Sequence, residues 1–151
     1  RASHLVFTAH DLAASRDYLA SAAPIHTPQD LTTHRIIGYI PDLIFDKELD
    51  YLAEIGIGAA TLTSNSVSVQ LNWLRHGAGV GVVHDFALPA APGLTRILTD
   101  RIHLTRSFWL IRHESDARLD RLNRFADQLT REARAEMARL ESALRQDESR
   151  A

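Results

Sequence analysis

The chain has 151 residues, of which 45% are hydrophobic and 24% charged, and its formal net charge is −2. This length fits one domain with a core of its own, and the charge excludes a strongly basic nucleic-acid-binding surface over the whole chain. There is no cysteine, which excludes disulfides and thiolate metal sites, and no apolar run approaches the roughly 20 residues that cross a bilayer.

Predicted strands and helices alternate along most of the chain. Runs rich in β-branched or apolar residues, bounded by Gly, Pro and Asp, predict strands at residues 4–14, 35–40, 59–63, 80–83, 94–98 and 107–112. Helical spacing and N-cap residues predict helices or helical turns at 16–22, 46–55 and 66–76, with a further helix start at Thr27-Pro28. The alternation predicts an α/β fold, with mainly parallel strands flanked by helices.

From Asp116 onward the apolar residues follow a helical period. Oppositely charged pairs such as Asp120/Arg124 and Asp127/Arg131 have the spacing that supports one long helix, which we place at residues 116–146. Its arginines alternate with acidic residues, so we interpret its outer face as solvated rather than as a nucleic-acid surface.

Four consecutive polar residues, Thr63-Ser64-Asn65-Ser66, lie between a predicted strand and a predicted helix. A helix N-terminus offers unpaired N–H groups and a partial positive charge, which favour a carboxylate or another anionic group. In open α/β sheets, ligands lie at the carboxyl ends of the strands. The sequence therefore predicts an anion-binding turn. The alternative is that one of these residues caps the helix while the others are solvated.

Other motifs favour less specific interpretations. The glycine-rich segment 77–81 follows a helix and opens a strand, so it predicts a helix stop and a tight turn rather than a phosphate loop. His84-Asp85 with Ser64 or Ser66 has the residue types of a hydrolase, but no nucleophile-elbow pattern surrounds either serine. No histidine or carboxylate spacing indicates a metal. We therefore expect neither an enzyme, nor a cofactor, nor a metal site.

Several stretches, taken in order, resemble the effector-binding domain of LysR-type transcriptional regulators. Residues 12–19 (LAASRDYL) resemble the family's L-x-A-S-x-x-Y-L, and residues 27–39 resemble its T-P-x-D-L…H-x-x-I-x-Y. Residues 63–83 resemble its S-N-S…Q…G-x-G segment, 92–98 its p-g-L-v-r-v-L, and 108–113 its last strand. Together they cover the chain from about His4 to Arg131. His84 departs from the proline that the family usually has there.

The resemblance implies a periplasmic-binding-protein-like type II fold, with 1–151 forming a partial effector-binding domain. Its implied parts are a first crossover strand (4–14), the second regulatory subdomain (15–106), a second crossover strand (107–112) and a C-terminal helix (116–146). The helix-turn-helix and most of the first subdomain would be absent. One wall of the effector cleft would consist of Gly38, Tyr39, Ser64, Asn65, Ser66 and His84.

The expected function is effector sensing and dimerisation in a cytoplasmic DNA-binding regulator. The implied partners are a small-molecule effector, with a carboxylate or other anionic group, and a second copy of the chain. DNA would be bound only through a domain absent from this chain, and no membrane partner is expected. Two alternatives are a periplasmic-type solute-binding domain and a small hydrolase that uses Ser64 or Ser66 with His84.

Overall fold

A computed structural model describes residues 2–150 of the chain, so Arg1 and Ala151, the ends of the predicted domain, lie outside the described residues. The strands are β1 (Ala2–Ser15), β2 (Ile36–Gly38), β3 (Leu62–Thr63), β4 (Val80–His84), β5 (Leu94–Ile97) and β6 (Leu104–Ile111). The α-helices are α1 (Arg16–Ser21), α2 (Tyr51–Glu54), α3 (Val67–Arg75) and α4 (Asp120–Glu148). Turns of 3₁₀ helix cover Pro28–Thr33, Pro41–Leu43, Lys47–Leu49, Asp85–Ala90 and Glu114–Arg118.

Local signals start and end several of these elements as predicted. The Ser15 hydroxyl accepts a hydrogen bond of 3.1 Å from the Tyr18 N–H, which caps α1. The Asp30 carboxylate accepts one of 2.8 Å from the Thr27 N–H, within a capping box that starts the first 3₁₀ turn. Gly77 has a φ of 71° and ends α3 in the left-handed conformation that favours glycine.

The sheet is mixed in strand direction. Its order is β3-β2-β4-β1-β5, and β6 also pairs with β1. Strand β2 is parallel to β3 and β4, whereas β1 is antiparallel to β4, β5 and β6. The expectation of mainly parallel strands is therefore corrected. It rested on helices between successive strands, but β1 pairs with strands that are not next to it in sequence and that return in the opposite direction.

Hydrophobic side chains pack on both faces of the sheet. Ala13, Ile37 and Val83 point to the face that α3 and the end of α4 cover, where they meet Leu74 and Leu144. Leu12, Ile36, Val80 and the partly buried Val82 point to the other face, beneath Leu31. Because side chains alternate along a strand, residues 10 and 84 belong to this second face.

Helix α4 begins later than predicted, because a 3₁₀ turn over Glu114–Arg118 precedes it. The helix runs beside β1, where the Arg134 Nε donates to the Leu5 carbonyl (2.7 Å) and the Ala9 N–H donates to the Glu141 carboxylate (3.3 Å). Leu144 is buried in the core. The end of α4 therefore packs against its own chain. None of the described helices combines the length and the apolar composition needed to span a bilayer.

Candidate ligand-binding site

The carboxyl ends of β2, β3 and β4 meet at one edge of the sheet. The three strands are parallel, with Gly38 opposite Thr63, so the residues that follow them emerge together. The Ser64 N–H donates to the Gly38 carbonyl over 3.0 Å and joins the two loops. The structure thus brings Gly38, Tyr39, Ser64 and His84 to the edge at which open α/β sheets bind ligands.

The turn between β3 and α3 is built from its own side chains. The Ser64 hydroxyl accepts from the Ser66 N–H (3.1 Å), and the Asn65 side-chain oxygen accepts from the Ile40 N–H (3.1 Å). The Ser66 hydroxyl caps α3 by accepting from the Val69 N–H (3.4 Å). These three oxygens therefore stabilise the turn. The groups that remain for a ligand include the first N–H groups of α3, which have no acceptor within the helix.

Gln70 connects this turn to the interior. Its side chain is 7% exposed, and its amide nitrogen donates to the Ser64 carbonyl over 2.5 Å. It also lines two neighbouring cavities. A movement of the turn would therefore be transmitted to both cavities by the buried side-chain amide of Gln70.

Two histidines stack beneath the same edge. His10 and His84 are register partners on β1 and β4, and their ring centroids lie 3.9 Å apart. His10 is 1% exposed, and neither of its ring nitrogens has a hydrogen-bond partner among the described residues. The Nδ1 of His84 is also buried without a partner there. Burial lowers the pKa of His84 to about 4, and burial together with His84 lowers the pKa of His10 to about 3.

Two cavities adjoin the histidines. The larger has a volume of about 500 Å³ and lies between the sheet and residues 41–60, with Gly38 and Tyr39 among its lining residues. The smaller, about 20 Å³, is lined by His10, His84, Tyr39 and Tyr51, among others, and is large enough for about one water molecule. Ser64, Asn65 and Ser66 line neither of these two cavities.

The sequence matches the family described as the LysR substrate binding domain over residues 1–134. The chain belongs to this family. The match runs from β1 into the first half of α4 and includes every residue of the edge and both cavities. No curated protein matches the sequence.

The fold of this LysR substrate-binding domain is shared by solved regulatory domains. The regulatory domain of CrgA, a LysR-type transcriptional regulator from Neisseria meningitidis, is 22% identical, with a TM-score of 0.75 over 88% of this chain and 68% of that chain. Full-length CrgA is 23% identical, with a TM-score of 0.73 over 88% of this chain but 47% of that chain. The effector domain of AmpR from Pseudomonas aeruginosa is 19% identical, with a TM-score of 0.66 over 91% and 67% of the two chains. The predicted periplasmic-binding-protein-like α/β fold with a C-terminal helix is confirmed.

Three residues of this LysR-family site were not predicted from sequence: His10, Tyr51 and Gln70. His10 lies two residues before Leu12, so strand alternation was a usable signal that its side chain is inside. Gln70 is a polar residue four positions after the N-cap Ser66, on the inner side of α3. Within residues 2–150, no group of three or more histidine or carboxylate side chains is arranged to hold a metal ion.

Acid should weaken the fold through the histidine pair. The folded-state pKa values of His10 and His84, about 3 and about 4, lie below the ordinary value of 6.5, so the unfolded chain binds more protons as the pH falls below 6.5. Each histidine should then remove up to about 1.4 kcal/mol of unfolding free energy per pH unit until the folded pKa is reached. His84→Phe should reduce the slope by about that amount, measured by urea denaturation between about pH 6.5 and 4.5.

Asp85 has the opposite effect on the unfolding free energy between about pH 6.5 and 4.5. Burial and the neighbouring Asp11 raise its pKa to about 7, so the folded chain retains a proton that the unfolded chain loses between pH 3.8 and about 7. Because Asp85 is present in both proteins, the difference between their slopes isolates His84. Equal slopes for the wild type and His84→Phe would show that His84 is not held neutral by the fold.

Proposed function

We propose that this chain is the effector-sensing part of a LysR-type transcriptional regulator and that a small molecule binds at the edge formed by β2, β3 and β4. The observation that carries the proposal is the convergence of three parallel strand ends with the start of α3 in a LysR substrate-binding domain. One wall of the effector cleft then consists of Gly38, Tyr39, Ser64, Asn65, Ser66 and His84. A carboxylate or other anionic head group is favoured by the free N–H groups and partial positive charge at the start of α3.

The proposal also divides the chain into functional parts. Residues 4–14 and 107–112 act as crossover strands, 15–106 as the second subdomain and 116–146 as the C-terminal helix. Supporting this division, β1 pairs with β6 from Ala2 to His10, while the rest of β1 pairs with β4 and β5. We call the paired strands β1 and β6 the ribbon. An effector that closes this subdomain on another would shift a conformational equilibrium through the ribbon.

We also propose that the chain forms a homodimer and that the regulator binds DNA in the cytoplasm through a separate domain. Support for a further packing partner comes from large apolar side chains on the ribbon and on α4. Phe7, Trp109, Ile111 and Phe125 are each more than half exposed. Such a surface favours association with another subdomain or a second copy.

An enzymatic role is not part of the proposal. Both candidate serine hydroxyls, Ser64 and Ser66, accept hydrogen bonds from backbone N–H groups, and no bond joins either of them to His84 within residues 2–150. A serine nucleophile needs a base within hydrogen-bond reach. A periplasmic-type solute-binding domain would share the fold, but the family match favours the regulator.

Val67→Pro tests the head-group site by removing a single N–H donor. Val67 is the first residue of α3, where proline is well tolerated, and Ser66 before it has the extended conformation that proline requires. If a carboxylate binds there, losing one charge-assisted hydrogen bond should weaken binding by about 10-fold to 100-fold. The measurement is calorimetric titration with a panel of small carboxylic acids, using the tightest binder.

Val67→Ala is the matched control, because it removes the same side chain but keeps the N–H. It should leave the affinity within about threefold of wild type. If Val67→Pro and Val67→Ala bind the acid equally well, the start of α3 does not hold the head group.

A further inference from the structure

The cavity of about 500 Å³ has the size and lining of a small-molecule site. It lies between the second face of the sheet and residues 41–60. Its wall is mainly apolar and includes Ile44, Leu49, Leu52, Ile57 and Val82. The charged lining residues, Lys47 and Asp50, have opposite signs, and the Asp50 carboxylate already accepts a hydrogen bond from the Ala53 N–H (3.3 Å). The lining therefore favours an uncharged occupant.

A glycine keeps the floor of this cavity open. A Cβ added to Gly38 would lie 3.1 Å from the Leu52 Cδ1 and 3.2 Å from the Ala60 Cβ. Both distances are tighter than ordinary van der Waals contact, so any larger residue would push against the opposite wall. The space over Gly38 therefore depends on the absence of a side chain at this position.

Arg106 of β6 holds the outer wall in place. Its Nε donates to the Glu48 carbonyl and an Nη donates to the Glu54 carboxylate, each at a distance of 2.5 Å. The guanidinium also lies 4.8 Å from the centroid of the Tyr51 ring, a cation–π contact. Residues on both sides of Tyr51 are thus fastened to a strand of the sheet. A wall supported in this way keeps the cavity formed without a ligand.

A small cavity that shares lining residues with the large one contains histidine nitrogens without hydrogen-bond partners among the described residues. Tyr39, Tyr51 and Gln70 line both the large cavity and the small one that contains His10 and His84. Both nitrogens of His10 and the Nδ1 of His84 are buried without a hydrogen-bond partner in the described part of the chain. Neutral imidazoles present one donor and one acceptor each, which a hydroxyl group or a hydroxyl and one bridging water can satisfy.

From these features we infer that the cavity binds an uncharged, ring-sized molecule bearing a hydroxyl group, such as a phenol, with the ring against the apolar wall and the hydroxyl toward the His10–His84 pair. This site lies beside the proposed head-group site at the start of α3 and shares Gly38, Tyr39 and His84 with the proposed cleft wall. Leaving buried imidazole nitrogens unpaired is costly, so the hydroxyl contributes to affinity as well as to orientation. Burial of the ring supplies the remaining free energy.

The experiment compares phenol with toluene, which has the same ring but no hydroxyl, by calorimetry or saturation-transfer NMR on the intact protein. Phenol should bind about tenfold more tightly than toluene to the wild type. His84→Phe should remove that preference, while both compounds still bind. Ala60→Leu, which adds three carbons to the cavity wall, should abolish binding of both compounds.

Folding is checked by thermal unfolding, and Ala53→Phe provides a second blocking variant because Ala53 is an exposed residue of the cavity mouth. Ala138→Leu, exposed on α4, makes the same kind of enlargement away from the cavity and should bind phenol like the wild type. Phenol binding that survives both Ala60→Leu and Ala53→Phe would overturn the inference, as would equal binding of phenol and toluene to the wild type. Carboxylic-acid binding is measured on Ala53→Phe as well and should match the wild type, because Ala53 lines the large cavity and is not part of the start of α3. Failure of the head-group site and failure of this site therefore give different results.

Discussion

Arg96→Met should be among the most destabilising substitutions in the chain, lowering the unfolding free energy by about 3–5 kcal/mol. One guanidinium nitrogen of Arg96 donates to Asp11 (3.0 Å) and to Asp85 (2.8 Å), both of which are almost completely buried. The other two nitrogens bind the Glu148 carboxylate at the end of α4. Without Arg96 the two buried carboxylates face each other without the guanidinium between them, and the remaining partner of Asp11 is the exposed His103 (3.3 Å). Urea denaturation at about pH 7 measures the loss.

The loss should become smaller as the pH falls toward about 7. Burial and Asp11 already raise the pKa of Asp85 to about 7, and removing the Arg96 charge raises it further. The folded variant should therefore take up the Asp85 proton at a higher pH than the wild type does, and this difference reduces the loss as the pH falls from about 9 to about 7. Below about pH 7 both folded proteins hold the proton, and the loss should stay constant. Arg139→Met removes an exposed ion pair with Glu136 and should leave the midpoint unchanged. Equal midpoint shifts for the two variants would show that the Arg96 cluster does not stabilise the fold.

The Arg96 cluster also explains how α4 is attached. Glu148 binds Arg96 near one end of the helix, Leu144 enters the core, and Arg134 donates to the Leu5 carbonyl further along. The i, i+4 charge pairs on α4 predicted the helix itself, but they contain no information about Arg96. This attachment joins residues 52 positions apart in sequence, and a distance of that kind is set by the tertiary fold.

Local structure followed from the sequence wherever it depends on neighbouring residues. Ser15, Thr27 and Gly77 start or end helical segments through contacts within about five positions, so their side chains predicted the boundaries directly. Strand direction was different. The pairing of β1 with β4, β5 and β6 is decided by packing across the sheet, and alternation of helices and strands predicted the wrong majority direction.

The candidate site divides in the same way. The edge formed by Gly38, Tyr39, Ser64 and His84 could be predicted, because parallel strands carry the residues after them to one side. The cavity of about 500 Å³ could not, because it exists only where residues 41–60 fold over the sheet above Gly38. His10 belongs to the site because it lies opposite His84 in the pairing of β1 with β4, and this register is set only in the folded sheet.

Arg106 and Gln70 connect the two proposed sites to the same parts of the structure. It fastens the wall around Tyr51 to β6, and β6 pairs with β1 along the ribbon that the proposed function treats as the crossover. Gln70 contacts the turn before α3 and lines the cavity as well. A ligand in either site would therefore act on the same ribbon or the same turn. Coupling of this kind requires different contacts in two conformations, and phenol titrations with and without a bound acid would measure it.

Gly79→Ala should be comparably destabilising, by about 3–5 kcal/mol, through a single added carbon. A Cβ at Gly79 would lie 2.3 Å from the Arg35 carbonyl oxygen and 3.0 Å from its carbon. Both atoms are backbone, so no side-chain rotation relieves the clash. The same oxygen accepts the hydrogen bond of 2.9 Å from the Val80 N–H that starts the pairing of β4 with β2. Relief requires these strands to separate, and the ligand-binding edge depends on their alignment.

Gly93→Ala is the matched control, since a Cβ there would meet nothing within 4 Å. It should change the unfolding free energy by less than about 0.5 kcal/mol, or raise it slightly by restricting the unfolded chain. Urea midpoints of the two variants, measured with the wild type, decide the matter. If Gly79→Ala unfolds at the same midpoint as Gly93→Ala, then β2 and β4 are not packed at this point as closely as the 2.3 Å approach requires. In that case the shared edge of the two strands would also be too loosely defined to position a ligand head group beside α3.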